Sequence, residues 1–255
     1  MDFSFDESLS SGYKSVSQKV RVMSESWVQQ NIFCPVCGNH CLSKAKNNAP
    51  VYDFKCDACG ETFELKSKCG KLGKKISDGA YDTMIERITG FTNPNLLVMQ
   101  YSKDFQVIDL LFIPKFFFTP DIIEKRKPLS STAKRAGWVG CNIEYCDIPQ
   151  QGRIPIIVDR HIHNSDDVIC AYNRIKSFKT DNLSARGWLL DILNCVNRIP
   201  ESEFTIKRMY SFENELKNKH PENNHIKEKI RQQLQVLRDK NIIEFKGNGV
   251  YKKLL

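Results

Sequence analysis

The sequence has no apolar run approaching the ~18 residues needed to cross a bilayer, so no membrane-spanning helix is expected. Its first residues, MDFSFDESLS, carry acids where a secretory signal peptide needs positive charge, which makes a cytoplasmic chain the expectation. There is no internal repeat and no low-complexity tract. Disorder is not expected either, because 255 residues with 41% hydrophobic content can build two compact domains with cores of their own.

The missing export signal also changes how the ten cysteines read. In a short secreted chain they would suggest disulfides, whereas here they suggest reduced thiols or metal ligands. The net charge of +8 favours an anionic partner without demanding one. Its distribution is more informative, since residues 183–255 hold 14 Lys plus Arg against 9 Asp plus Glu.

Runs rich in β-branched and aromatic residues predict strands at 51–55, 62–66, 95–101, 107–113 and 154–158. Between them, SDGAYDTMIERIT at 77–89 predicts a helix, with Ser77 as its cap and Ala80, Met84, Ile85 and Ile88 at helical spacing. That is an α/β or α+β layout. The strand pattern is gone over 161–183, and a boundary near 180 divides a first domain, 1–180, from a second, 181–255. Helices are expected from 184, over 205–219 and over 224–240. Two short strands at 242–246 and 250–254 then flank Gly247-Asn248-Gly249, a hairpin turn. Three helices followed by a β-hairpin is the order of a winged helix.

Cys34-Pro-Val-Cys37-Gly and Cys56-Asp-Ala-Cys59-Gly match the spacing of a tetrahedral structural zinc site. The glycine after each pair eases a backbone that must fold round a metal. Two unrelated thiol pairs or a redox CxxC are the alternatives, although redox chemistry needs only one pair. Cys41, Cys69, Cys141, Cys146, Cys170 and Cys195 lack such spacing and read as buried or free thiols. Four sulfurs leave zinc no open position, so the metal would hold structure in register and take no part in catalysis.

If Cys56–Cys59 is the tip of an antiparallel hairpin, pairing symmetric about that tip sets Asp53 opposite Glu64. Two like charges so placed are destabilising unless a cation neutralises them. Lys66 shares their face because the strand period is two. Two carboxylates can hold Mg²⁺ against a phosphate oxygen while a lysine orients or deprotonates water, which is the equipment of phosphodiester hydrolysis. A Glu-Leu-Lys triplet alone is weak evidence in a chain that is 27% charged, and exposed strands commonly alternate acid and base. The opposed Asp53 is what raises it.

Asp53 with Glu64-Leu65-Lys66 resembles the signature of PD-(D/E)XK nucleases, with Tyr52 where the family name has proline. The double CxxC, the SDGAYDTMIERI segment, the KPLSSTAKRAGWVGCNI loop and NNHIKEKIRQQLQVLRDKNIIEFKG are similar, along essentially the whole chain, to the DpnI-like methyl-directed type II restriction endonucleases. The resemblance implies a PD-(D/E)XK core with a zinc-stapled hairpin followed by a winged helix that also recognises methylated DNA. It implies Mg²⁺-dependent cleavage of double-stranded DNA at GATC sites carrying N6-methyladenine, as a defence against foreign DNA. Asp53, Glu64 and Lys66 would be catalytic, with Asp53 and Glu64 on Mg²⁺, and Cys34, Cys37, Cys56 and Cys59 on Zn²⁺. No partner methyltransferase is then required, and a monomer is the expected state.

For reading DNA, Ile226, Ile230, Leu234 and Leu237 form one apolar stripe, leaving Glu228, Arg231, Gln232 and Gln235, with His225 beside them, on the opposite face. Gln suits adenine and Arg suits guanine in the major groove. A plain solvated face is the alternative. Lys246, Lys252 and Lys253 on the hairpin would meet phosphates. In the first domain the basic loop 125–140 carries Lys134, Arg135 and Trp138; the tryptophan would either stack on a base or contact a methyl group, or else anchor the loop. His161 and His163 share a strand face but lack a third ligand, so unliganded polar roles are expected.

Two other functions remain open at this stage. A zinc-containing transcription regulator would use the knuckle and winged helix but not the acidic pair. A repair enzyme acting on modified adenine would need a base-flipping pocket, which the sequence does not identify.

Overall fold

A computed structural model describes residues 2–45 and 52–254; Val51, expected to open the first hairpin strand, lies outside them. The chain begins with helix α1 (Val16–Asn31), followed by strands β1 (Ser43–Lys44), β2 (Phe54–Lys55), β3 (Thr62–Cys69) and β4 (Lys75–Ala80). Helix α2 (Tyr81–Thr89) leads to β5 (Asn95–Tyr101), β6 (Val107–Ile113), β7 (Ile123–Lys125), β8 (Gly140–Glu144), β9 (Ile154–Val158) and β10 (His161–Ile162). After α3 (Ser165–Ile175) come α4 (Leu183–Asn197), β11 (Glu203–Thr205), α5 (Ile206–Tyr210), α6 (Glu213–Lys219), α7 (Ile226–Asp239), β12 (Ile243–Gly247) and β13 (Val250–Lys253).

The main sheet runs in the order β1-β2-β3-β5-β6-β9-β10. Its central strands are the apolar runs, and Leu97, Val98, Met99, Leu110, Phe112 and Ile156 are buried within it. Among the described residues only β3 and β5 pair in parallel, with Glu64 beside Leu96 and Lys66 beside Val98. A parallel pair needs a crossover, and here the crossover carries β4 and α2. β4 joins β8 and β7 in a separate antiparallel sheet. The mixed α/β core is therefore as expected, as are the strands at 95–101, 107–113 and 154–158.

The helix expected over 77–89 is half wrong. Ser77–Ala80 belong to β4, paired with Gly140–Asn142 of β8, and the helix starts at Tyr81 without a side-chain cap. Gly79 explains the break: the register shifts between Asp78 and Ala80, and glycine weakens a helix interior by about 1 kcal/mol relative to alanine. The helix α1 was not anticipated, although Val20, Met23, Trp27 and Val28 lie at helical spacing and are buried.

The C-terminal helix-turn-helix segment follows its apolar pattern. Ile226, Ile230, Leu234 and Leu237 are all buried against the rest of the segment. The helix expected over 205–219 is broken at Ser211 and Phe212 into α5 and α6. Before it, β11 adds a third strand to the terminal hairpin, in the order β11-β13-β12. Buried Asp191 on α4 binds Lys219 at 2.6 Å and His220 at 2.8 Å, and the His220 ring stacks on Trp188 at 3.7 Å, which ties the end of α6 to α4. No helix among the described residues is long and apolar enough to cross a membrane.

Candidate active site

The two CxxC segments meet as two knuckles. Gly38 N–H donates to Cys34 O and Gly60 N–H to Cys56 O, each at 2.8 Å, and both glycines take positive φ, +78° and +76°. A Cβ on Gly38 would also stand 2.8 Å from Ile169 Cδ1, so α3 packs directly on the first knuckle. The four sulfurs lie within 4.8 Å of one another, the only such group of three or more candidate ligands among the described residues. Cys34 and Cys59 Sγ are 3.7 Å apart and Cys37 and Cys56 Sγ 3.6 Å. A tetrahedral zinc with bonds of ~2.3 Å sets its sulfurs about 3.8 Å apart, so the donors fit that ion. Burial pushes the Cys34 thiol up and the Cys59 thiol up to about 11, so ionising these two without a cation is costly. At Cys56 burial is outweighed by hydrogen bonds from the Cys59 and Ala58 backbone, which lower its thiol to about 7.

The knuckle continues into the hairpin in the expected register. Lys55 pairs with Thr62 and Phe54 with Phe63, the two phenylalanines facing the core. One step further, Asp53 N–H donates to Phe63 O at 2.9 Å, and Asp53 Oδ2 accepts from Leu65 N–H at 2.8 Å. Asp53, Glu64 and Lys66 thus line one cleft of about 800 Å³, whose other wall is α1 with Arg21 and Glu25.

Within the cleft Lys66 Nζ lies 2.6 Å from Glu64 Oε1 and 2.5 Å from Asp78 Oδ1. Burial opposes the charge of Lys66, but Glu64 and Asp78 outweigh it and hold the ammonium above the ordinary lysine range. Burial pushes the carboxyls of Glu64 and Asp53 up, against the pull of Lys66 on both and of the Leu65 N–H on Asp53. Too little positive charge serves these acids. One oxygen of Asp53 is held by the Leu65 N–H and one of Glu64 by Lys66, which leaves Asp53 Oδ1, 3.6 Å from Arg21, and Glu64 Oε2 for a ligand. That donor set suits a hard divalent cation such as Mg²⁺, which keeps several waters and takes few protein oxygens.

Four cleft residues were not foreseen: Arg21, Glu25, Asp78 and Arg87. Glu25 is buried and ion-paired to Arg21 at 2.6 Å and Lys44 at 2.7 Å. Asp78 is hidden in the segment read as helix; the signal that would have exposed it is Gly79.

The expected DNA-reading residues occupy two other regions. Lys134 and Arg135 are exposed on the 125–140 loop. Trp138 is half-buried: Arg135 lies 4.6 Å from its ring centroid, and the ring edge crowds Gly140, where a Cβ would come within 2.8 Å. The tryptophan is packed into its own loop. On α7, Glu228, Arg231, Gln232 and Gln235 are exposed, with His225 at its N-cap. Arg231 binds Glu228 and Tyr210 Oη at 2.8 and 2.9 Å, and Lys229 donates to Gln232 at 2.8 Å. Lys253 donates to Ile199 O, and Lys246 pairs with Glu244 at 2.9 Å, so of the three hairpin lysines Lys252 alone has no such partner among the described residues. His161 Nδ1 meets Asp159 O at 2.9 Å on the exposed edge strand, and neither it nor His163 joins a metal-ligand group.

A 52-residue stretch is 42% identical to a transcription factor E of Ignicoccus hospitalis, covering 20% of this chain and 28% of that protein, so the chain spans well under a third of that relative. A family model described as DpnI, Dam-replacing family, matches residues 1–181, and one described as a Dam-replacing HTH domain matches residues 184–253. Together these cover nearly the whole sequence, and the chain belongs to the Dam-replacing family.

Proposed function

We propose that the chain is a methyl-directed restriction endonuclease of the PD-(D/E)XK class, hydrolysing double-stranded DNA at GATC sites that carry N6-methyladenine. The observation that carries this reading is the hairpin: with Phe54 opposite Phe63 and Asp53 Oδ2 held by the Leu65 N–H, Asp53, Glu64 and Lys66 line one cleft. Membership of the Dam-replacing family supports it. Asp53, Glu64 and Lys66 are the catalytic set, Cys34, Cys37, Cys56 and Cys59 hold a structural zinc, and the chain divides near residue 180.

Asp53 and Glu64 would hold a Mg²⁺, which would supply Lewis-acid stabilisation of charge on the phosphate. The protein's own groups do the rest. Lys66, steadied by Glu64 and Asp78, points its ammonium into the cleft, where it orients the attacking water and offsets charge building on phosphorus. Asp53 is fixed by the Leu65 N–H, so its outer oxygen keeps one position through the reaction. The exposed face of α7 reads base edges in the major groove, where N6-methylation leaves one hydrogen on the adenine nitrogen and adds an apolar group. Recognition then needs a single acceptor and a close apolar contact.

A zinc-containing transcription regulator is the second reading, favoured by the short match to a transcription factor. It assigns no work to the acids gathered round Lys66. Lys66→Ala separates the two: the variant should bind methylated duplex and retain zinc while cutting at least a thousandfold more slowly, as loss of transition-state charge stabilisation implies. A variant that cuts at the wild-type rate would remove the nuclease reading of this cleft.

A further inference from the structure

Three cations line the cleft beside the hairpin, and two of them are committed. Arg21 is bound to Glu25 at 2.6 Å and lies 3.6 Å from Asp53. Lys66 is bound to Glu64 and Asp78. Arg87, in the last turn of α2, lines the same cleft, is half-buried, and makes no ion pair or side-chain hydrogen bond with any of the described residues. It also lines a small adjoining cavity with Glu64 and Asp78, where Asp78 Oδ2 is buried without a hydrogen-bond partner. A half-buried guanidinium with no carboxylate partner, in a cleft lined by acids, is available to another anion.

Three physical facts narrow that anion. A guanidinium presents five donors in a rigid fork that matches the non-bridging oxygens of a phosphate. The cleft's acids repel any approaching phosphate, so a substrate needs an uncommitted cation on arrival, and Lys66 is not one. Finally, α2 sits in the crossover between β3 and β5, the two strands paired through Glu64 and Lys66, so its position relative to the hairpin is set by the sheet.

We propose that Arg87 is the phosphate clamp of this cleft, gripping a backbone phosphate of the DNA at or next to the bond that is cut. This rests on the nuclease reading above. It divides the work between the two cations: Arg87 holds the backbone, and Lys66 serves the water and the reacting phosphorus.

The test is the salt dependence of kcat/KM for a methylated GATC duplex with Mg²⁺, compared among wild type, Arg87→Met and Arg87→Lys. Each phosphate contact to duplex DNA contributes about 0.9 to the slope of log affinity against log salt. Arg87→Met keeps the aliphatic stem that packs in α2 but loses the charge; it should lower kcat/KM about ten- to hundredfold near 0.1 M salt and make the slope shallower by about 0.9. Arg87→Lys should keep the slope while losing part of the rate. Arg87→Gln serves in place of the methionine variant if that protein does not melt cooperatively. A neutral variant that cuts slowly with the wild-type slope would overturn the clamp, since a purely structural defect leaves the slope alone. Wild-type kcat/KM in either neutral variant would overturn it as well. A wild type that cuts nothing would remove the nuclease reading together with the clamp, whereas a cutting wild type with an unaltered neutral-variant slope removes the clamp alone.

Discussion

Asp53 lines the same cleft as Glu64 because Phe54 and Phe63, one residue nearer the tip on each strand, are paired and buried. A slip of one residue would turn the phenylalanines outward and the acids inward. Burial of two aromatic rings thus specifies where two carboxylates meet, and the cysteine knuckle beyond them closes the turn. The costs run in the same direction, since exposing one phenylalanine forfeits about 2 kcal/mol and burying an unpaired carboxylate costs more.

Removing one knuckle sulfur should therefore disable the cleft at a distance. Cys56→Ser is expected to lose zinc and to cut at least a hundredfold more slowly, because the ligands must act as a set. Zinc content and cleavage rate measured on one preparation check this. Full cutting without zinc would show that the sheet alone keeps the register.

Gly38 offers a milder probe of the same coupling. Alanine there meets both a positive φ of +78° and a contact of 2.8 Å with Ile169. The expected loss is about 1–2 kcal/mol of stability, read from denaturant melts with zinc bound. Unchanged stability would mean that neither the positive φ nor the Ile169 contact constrains the knuckle.

In the C-terminal segment, burial works against the charge of Asp191, but His220 and Lys219 outweigh it and hold its carboxyl below the ordinary value of 3.8. A depressed folded value means stability that is present above 3.8 and is lost as pH falls through the folded value. Asp191→Asn should cost about 2 kcal/mol. The difference from wild type should shrink as pH falls below 3.8 toward the folded value, as followed by melts across that range. A difference that keeps its full size well below pH 3.8 would contradict the assignment.

Gln235→Ala on α7 and Lys252→Ala on β13 should fail in different ways. Loss of a base contact costs about 1–3 kcal/mol and relaxes discrimination at one base pair. Loss of a phosphate contact weakens all duplexes alike and makes the salt slope shallower by about 0.9. Binding titrations on methylated GATC and on one-base variants separate the two.

Much of this was legible in the sequence because the signals were local. The CxxC spacing and period-two pairing from a known tip give the pairing of Phe54 with Phe63 that brings Asp53, Glu64 and Lys66 to one cleft, and apolar runs bounded by turns mark strands 95–101, 107–113 and 154–158. What stayed hidden came from elements meeting at long range. Asp78 reaches Lys66 only because β4 pairs with β8, more than 60 residues away, and its short strand looks helical beside the true helix that follows. Glu25 and Arg21 enter because α1 packs on the hairpin, which no spacing within α1 announces. Trp138 could be read as either platform or anchor, and its fit between Arg135 and Gly140 is a matter of loop conformation.

The most direct measurement is cleavage of one plasmid bearing GATC sites, prepared with and without adenine methylation and incubated with the purified protein in Mg²⁺ or in EDTA. The expected result is cutting of the methylated plasmid in Mg²⁺ alone, abolished by Asp53→Asn. An intact methylated plasmid in Mg²⁺, or equal cutting by Asp53→Asn, would contradict the assignment of this cleft as the hydrolytic site.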